Sequence, residues 1–214
     1  EFKRPGNIHN AMGLRYSLSV SRTIEGAAGS QAANFKSVYG GIYDPEFALF
    51  YEYQPFHSEW LGNIGIVTNV GIDYFYGVAR FARELPKPGG GVFPINSLTK
   101  LQFFSVPVTI ALNYRFNLLR ILRPYAMIGP TLIGYLESRN DGGPVLKGYS
   151  QGFTTSIGVS VLMDWINKNS SWDLYSSFAV KHYYLTLDYT RLVPLSGDVR
   201  FSFEGISAGL TFEY

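Results

Sequence analysis

Along most of the chain, apolar and polar side chains alternate with a period of two, in runs of about ten residues bounded by Gly, Pro, Asn and Asp. Such a period places the two sets on opposite faces of a β-strand. In the first run Met12, Leu14, Tyr16, Leu18 and Val20 alternate with Gly13, Arg15, Ser17, Ser19 and Ser21. A second sets Phe47, Leu49, Tyr51 and Tyr53 against Ala48, Phe50, Glu52 and Gln54, and Pro55-Phe56-His57-Ser58 is expected to turn the chain. The third carries Trp60, Ile64, Ile66, Thr68, Val70, Ile72 and Tyr74 on one face, with Asn63, Gly65, Val67, Asn69, Gly71 and Asp73 on the other. The fourth runs from Phe104 to Tyr114, where Pro107 lacks a ladder donor and predicts a local bulge or irregularity. A fifth spans 124–137, its alternation blurred by Gly129-Pro130. The sixth is the cleanest: Phe153, Thr155, Ile157, Val159, Val161 and Met163 oppose Gly152, Thr154, Ser156, Gly158 and Ser160. The seventh is expected to start at Trp172 and reach Leu187. The eighth covers 199–214, with a slip in apolar parity near Gly205 that predicts a bulge.

The face opposite the apolar one is built from Ser, Thr, Gly and Asn rather than Lys and Glu. Those residues suit a packed polar interior better than a solvated exterior. Only 16% of residues are charged, against roughly 25% in average chains. The 214 residues include 16 Tyr, 16 Phe and 23 Gly, and no uninterrupted apolar run reaches the length of a spanning helix. These features predict one domain over 1–214: an all-β, closed, up-and-down antiparallel transmembrane β-barrel of about eight strands, lipid outside and polar lumen inside. The competing fold is a soluble barrel of lipocalin type, with its apolar face turned inward. The absence of Cys removes disulfides and thiol chemistry, and a net charge of +2 gives no sign of a nucleic-acid partner.

Links at 55–58, 115–123 and 164–170 read as short, and those at 22–45, 77–98, 138–148 and 188–198 as longer and richer in Gly, Pro and charge. Short turns on one side and long loops on the other are what an up-and-down barrel with both termini in the periplasm requires. The chain opens at Glu1 with no apolar leader, as a processed mature protein would, and Glu1-Phe2 fits a cloning remnant.

The final residues, Ser207-Ala208-Gly209-Leu210-Thr211-Phe212-Glu213-Tyr214, resemble the C-terminal signal of bacterial outer-membrane proteins. That resemblance implies an assembly signal at Gly209, Phe212 and Tyr214, met by the barrel-assembly machinery during biogenesis. With Ser105-Val106-Pro107-Val108-Thr109, Tyr114-Arg115-Phe116 and Arg123-Pro124-Tyr125, nearly the whole chain resembles the small OmpA/OmpX/OmpW-type barrels. The family likeness implies the cell outer membrane of a Gram-negative-type envelope, both termini periplasmic, outer-membrane lipid and lipopolysaccharide as surroundings, a monomer and no cofactor.

Because such barrels serve as anchors, adhesins, channels and enzymes, the likeness leaves function open. Arg15, Glu52, Asp73, Asp173 and Lys181 fall on lumen parity, and charges inside a narrow barrel should pair with opposite sign. The expectation is a static polar plug, with a narrow gated channel as the alternative. An enzymatic alternative, a lipid A deacylase-like hydrolase, would need Ser176, Ser177, His182 and Asp188 on one surface. The deacylases' short His-x-Ser pattern is replaced here by His182-Tyr183-Tyr184, so no catalytic residue is assigned. His9 and His57 have no evident partners, and nothing in the sequence has metal-ligand spacing. Gly89-Gly90-Gly91 follows Pro88 in a loop and reads as flexibility rather than a phosphate cradle. A non-enzymatic membrane protein, anchoring long external loops for surface interaction or envelope integrity, is the expected function.

Overall fold

The computed structural model describes residues 9–26, 33–34, 45–58, 62–80, 85–86, 92–93, 96–117 and 121–214. Its long strands are β1 (Asn10–Gly26), β2 (Pro45–Ser58), β3 (Gly62–Arg80), β4 (Asn96–Arg115), β5 (Leu122–Arg139), β6 (Leu146–Leu162), β7 (His182–Gly197) and β8 (Val199–Glu213). Among the described residues a helix, α1 (Lys168–Phe178), precedes β7. Each strand pairs antiparallel with the next, and β8 returns to β1 with Met12 opposite Phe212 and Leu14 opposite Leu210, so the sheet closes.

The register shows how far the strands lean. Starting at Asn10, successive partners are Tyr53, Ile66, Leu112, Ile128, Thr155, Arg191 and Glu204, and the circuit re-enters β1 at Ser21. The eleven-residue advance includes one bulged residue, Val20, leaving a stagger of ten. A stagger of this size around eight strands tilts them by about 35–45° and leaves an interior that side chains can fill.

Burial follows the alternation. Leu49 is 69% exposed while Glu52, three residues along the same strand, is 0% exposed. Leu14, Ile72, Ile110, Leu132, Ile157 and Ile206 all stand on the outer wall. An outer wall of Leu, Ile, Val and aromatics is the inverse of a soluble barrel, and hydrocarbon is the solvent it fits.

Several local expectations are corrected. Residues 55–58 are not a turn: β2 continues through Ser58, with a register shift between Tyr53 and Phe56. Pro55 is tolerated there because a shifted ladder does not need its missing donor. The chain reverses before Gly62, whose φ of +99° favours glycine. Trp60 lies outside the described residues. The bulge foreseen near Gly205 sits across the ladder, at Val20, while β8 alternates without a break. Its apolar side changes face because the lumen becomes apolar at that depth: Phe201 and Phe203 point inward there. Pro107 produces an irregularity without an extra residue, since the β3–β4 ladder drops two rungs and resumes in the same register. Pro130 does the same between β4 and β5.

The seventh strand does not begin at Trp172. Residues 168–178 are helical, opened by Asn167, whose side chain accepts from Ser170 N at 3.1 Å, and closed by Ala179 in the left-handed region. The strand starts at His182 and extends to Gly197. Two connections expected to be long are therefore tight. Between β7 and β8 only Asp198 intervenes, its N–H donating to Tyr149 O at 3.0 Å. Between β5 and β6 the turn occupies 140–145. There Asp141 accepts from Gly143 N at 3.1 Å and from Arg139 Nη2 at 2.6 Å, and those bonds hold its carboxyl below the usual carboxylate range. At the end carrying the termini the connections are 59–61, 116–121 and the longer 163–181; at the far end, 27–44 and 81–95 are the long ones.

Ile157, midway along β6 and 63% exposed, tests the lipid-facing wall. Ile157→Arg should cost about 2–4 kcal/mol in urea unfolding from lipid vesicles, and Ile157→Leu almost nothing. Equal stability of the two variants would place this face away from lipid.

Candidate functional site

The lumen holds the protein's concentration of charge, arranged in layers along the barrel axis. At the end carrying the termini, Glu213 and Glu52 are both 0% exposed. Arg115 bridges them, its Nη1 3.1 Å from Glu213 Oε1 and its Nη2 bonded to Glu52 Oε2. Arg123 Nη1 lies 3.1 Å from Glu213 Oε2, which also accepts from the Tyr184 hydroxyl at 3.0 Å. Asn113 donates to Glu52 at 3.1 Å, and Asn63 to Gln54 at 2.8 Å. Each buried carboxylate therefore meets a guanidinium and a neutral donor, the condition under which buried charge is tolerated.

Deeper in, Asp188 accepts from Tyr125 at 2.7 Å, Thr190 at 2.9 Å and Ser156 at 3.1 Å. Arg15 Nε is 3.7 Å from Asp188, and its guanidinium lies 4.8 Å from the Phe50 ring centre, a cation–π contact. Beyond it, Arg22 donates to Asp73 at 2.8 Å, as does Ser105 at 2.7 Å. Thr109, Thr131 and Thr154 form a chain of hydroxyls at 2.8 and 2.5 Å. A cavity of about 50 Å³ lies among Arg15, Arg22, Asn69, Asp73, Pro107 and Thr131. It has room for a few waters and no more.

Past Asp73 the filling becomes apolar. Phe75, Leu101, Phe103, Ile133, Leu192, Phe201 and Phe203 form one buried cluster. Phe201 meets Phe103 edge-on at 5.6 Å and Tyr135 at 5.3 Å. Glycine makes room for the filling at each level: a Cβ on Gly205 would collide with Phe203 Cζ, one on Gly65 would stand 2.6 Å from a Glu52 oxygen, and one on Gly158 2.6 Å from Asp188 Cβ.

Of the charges assigned to the lumen from sequence, Arg15, Glu52 and Asp73 are found in it, 6%, 0% and 1% exposed. Asp173 and Lys181 are not. Asp173 is exposed on α1, and Lys181 lies between α1 and β7, where its N–H donates to Glu213 O at 2.7 Å. Extending strand periodicity back to Trp172 had given both a false parity. Absent from that set were Arg22, Arg115, Arg123, Asp188 and Glu213. The Val20 bulge turns Arg22 inward, although the parity of Arg15 and Ser17 would put it outside. Asp188 falls in the 188–198 span that reads as loop and is strand, Arg115 and Arg123 in the 115–123 span that reads as turn, and Arg22 at the start of the 22–45 link; Glu213 alone has a visible inward parity. Gly209 faces inward beside Arg15, Phe212 is half-buried on the outer parity, and Tyr214 exchanges backbone bonds with Asn10 at 3.0 and 3.3 Å.

The hydrolytic constellation is not assembled. His182 Nδ1 lies 2.7 Å from Asp164 at the very start of β7, its side chain one-third exposed, while Asp188 is enclosed six residues further along the same strand. Ser176 is exposed on α1 and donates to its own helix at Asp173 O. His9 is exposed, and the side chain of His57 lies outside the described residues. Among the described residues, no group of three or more His, Cys, Asp or Glu could hold a metal ion.

Arg115→Leu should cost about 3–5 kcal/mol in unfolding from vesicles, because it strands Glu52 in the lumen. The double variant Arg115→Leu/Glu52→Leu should cost less than the single one. A double variant as damaged as the single would mean that packing, not charge, sets the penalty.

No protein-family model matches the sequence, and no curated protein matches it. Solved structures do match in fold. Ail, the attachment invasion locus protein of Yersinia pestis, superposes with a TM-score of 0.51 at 10% identity, over 98% of this chain and 100% of that one. Neisserial surface protein A aligns at 0.48 and 12% identity, over 96% and 97%. OprG of Pseudomonas aeruginosa aligns at 0.47 and 11%, over 96% of each chain. With a closed antiparallel sheet, an apolar outer wall and a filled polar lumen, the chain is a small eight-stranded β-barrel of the outer-membrane type.

Proposed function

We propose that this protein is a non-enzymatic, non-conducting anchor in the cell outer membrane, with both termini periplasmic and the connections 27–44 and 81–95 presented at the cell surface. The supporting observation is the filled lumen. Among the described residues, ion pairs occupy one end and an aromatic cluster the other, with a cavity of about 50 Å³ between them. Eight strands leave no width to spare once such side chains are in place. Outer-membrane lipid and lipopolysaccharide would surround the apolar wall, and the C-terminal strand would be the part read by the assembly machinery. Two long connections on one rim, above a rigid post, suit surface interaction.

Planar-bilayer recording tests the plug. The protein, and also Glu52→Ala, should show no steady conductance, because the aromatic cluster still closes the far end. Combining Glu52→Ala with Phe103→Ala and Phe201→Ala should open a current. Steady ion flow through the unaltered protein would replace the anchor with a channel.

Trypsin tests the orientation. Arg83 and Lys87, which lie outside the described residues, fall in 81–95. Trypsin added to intact cells should cut after Arg83, the Lys87–Pro88 bond being resistant to it, and spare Lys168 and Lys181. Cleavage at Lys168 or Lys181 in sealed cells would reverse the orientation.

A further inference from the structure

The 163–181 connection carries a feature that the barrel does not require. At 100° per residue, Trp172, Leu174, Tyr175 and Phe178 occupy one half of α1, around the buried Ser171, and Lys168 at the first position is the one charged residue on that half. Asn169, Ser170, Asp173, Ser176 and Ser177 occupy the other half. The apolar half is only partly covered: Trp172 is 48% exposed and Phe178 72%. In the turn before the helix, Trp165 and Ile166 are likewise more than half exposed.

This surface continues the lipid-facing wall. Ile157, Val159 and Val161 follow the outer parity of β6, and the chain passes from Leu162 almost directly to Trp165. Beside it, Ile121 and Leu122 are exposed at the start of β5, and Leu162 N donates to Ile121 O at 2.8 Å. We propose that α1 and the turn before it form an interfacial anchor, lying in the lipid headgroup and upper acyl region of the leaflet at the end carrying the termini. The occupant of the apolar half is phospholipid. Three points favour it: continuity with the wall, Trp and Tyr rings whose apolar bodies and polar edges suit that depth, and an opposite face of hydroxyls, one amide and one carboxylate turned to water.

The chain has three Trp, so Trp60→Phe leaves Trp165 and Trp172 as the indole probes. That variant, refolded into phosphatidylcholine vesicles, should lose most of its emission when the acyl chains are brominated near the headgroup. It should lose less with bromine near the chain ends, and little on adding iodide to the water. Emission quenched by iodide and untouched by brominated lipid would overturn the anchor, leaving the helix in solvent. Protection from both quenchers would overturn it equally, in favour of a protein contact such as a second copy. If Trp60→Phe does not fold, comparing the unaltered chain with Trp165→Phe/Trp172→Phe isolates the same signal. None of these readouts depends on whether the lumen conducts.

Discussion

Everything in this barrel depends on β8 pairing with β1. Inside hydrocarbon a bare N–H or C=O has no water to turn to, so a sheet that crosses a membrane cannot keep a free edge. Closure answers that demand and then imposes its own geometry. The stagger of ten tilts the strands and fixes the bore, and the bore decides which side chains can share each level of the lumen. Glycine at positions 65 and 158 is a consequence of that fixed width: the space a Cβ would take belongs to Glu52 and to Asp188 with Tyr125.

Charge inside such a bore holds only as a network. Arg115 joins two carboxylates and Arg123 shares one of them, so each charge is met from more than one direction. Replacing the whole set by apolar groups could in principle be as stable, whereas removing one member leaves its partner stranded. The network thus constrains register as much as energy, since a slip of one residue would send every charge to the lipid face. The aromatic cluster beyond Asp73 obeys no such rule and fills its level by shape.

Strand number, facing and closure were legible in the sequence because period-two alternation survives in nearly every strand. Local length signals were less reliable. Asn167 and the left-handed Ala179 make a helix from residues whose alternation, Trp172, Leu174 and Phe178, imitates a strand. Asp173 and Lys181 were misplaced with it. Arg22 was hidden twice over: it reads as the start of the 22–45 link, and a single bulged residue, Val20, inverts parity for all that follows it in β1. Bulges leave little trace in side-chain type. Even the slip in apolar pattern on β8 marks a change in what fills the lumen rather than a fault in the ladder.

The layering also bears on how the barrel could cross a bilayer. On the proposed orientation, with both termini periplasmic, the end filled by Phe75, Leu101, Phe103 and Phe201 is the one that must traverse the hydrocarbon. Its inward groups lose little by leaving water, closed sheet or not. The belt of Glu52, Arg115, Arg123 and Glu213 travels last and has only to reach the near headgroups. The sequence of fillings along the axis therefore gives the molecule a leading and a trailing end, a polarity of passage written into residues that no lipid touches once the barrel is in place.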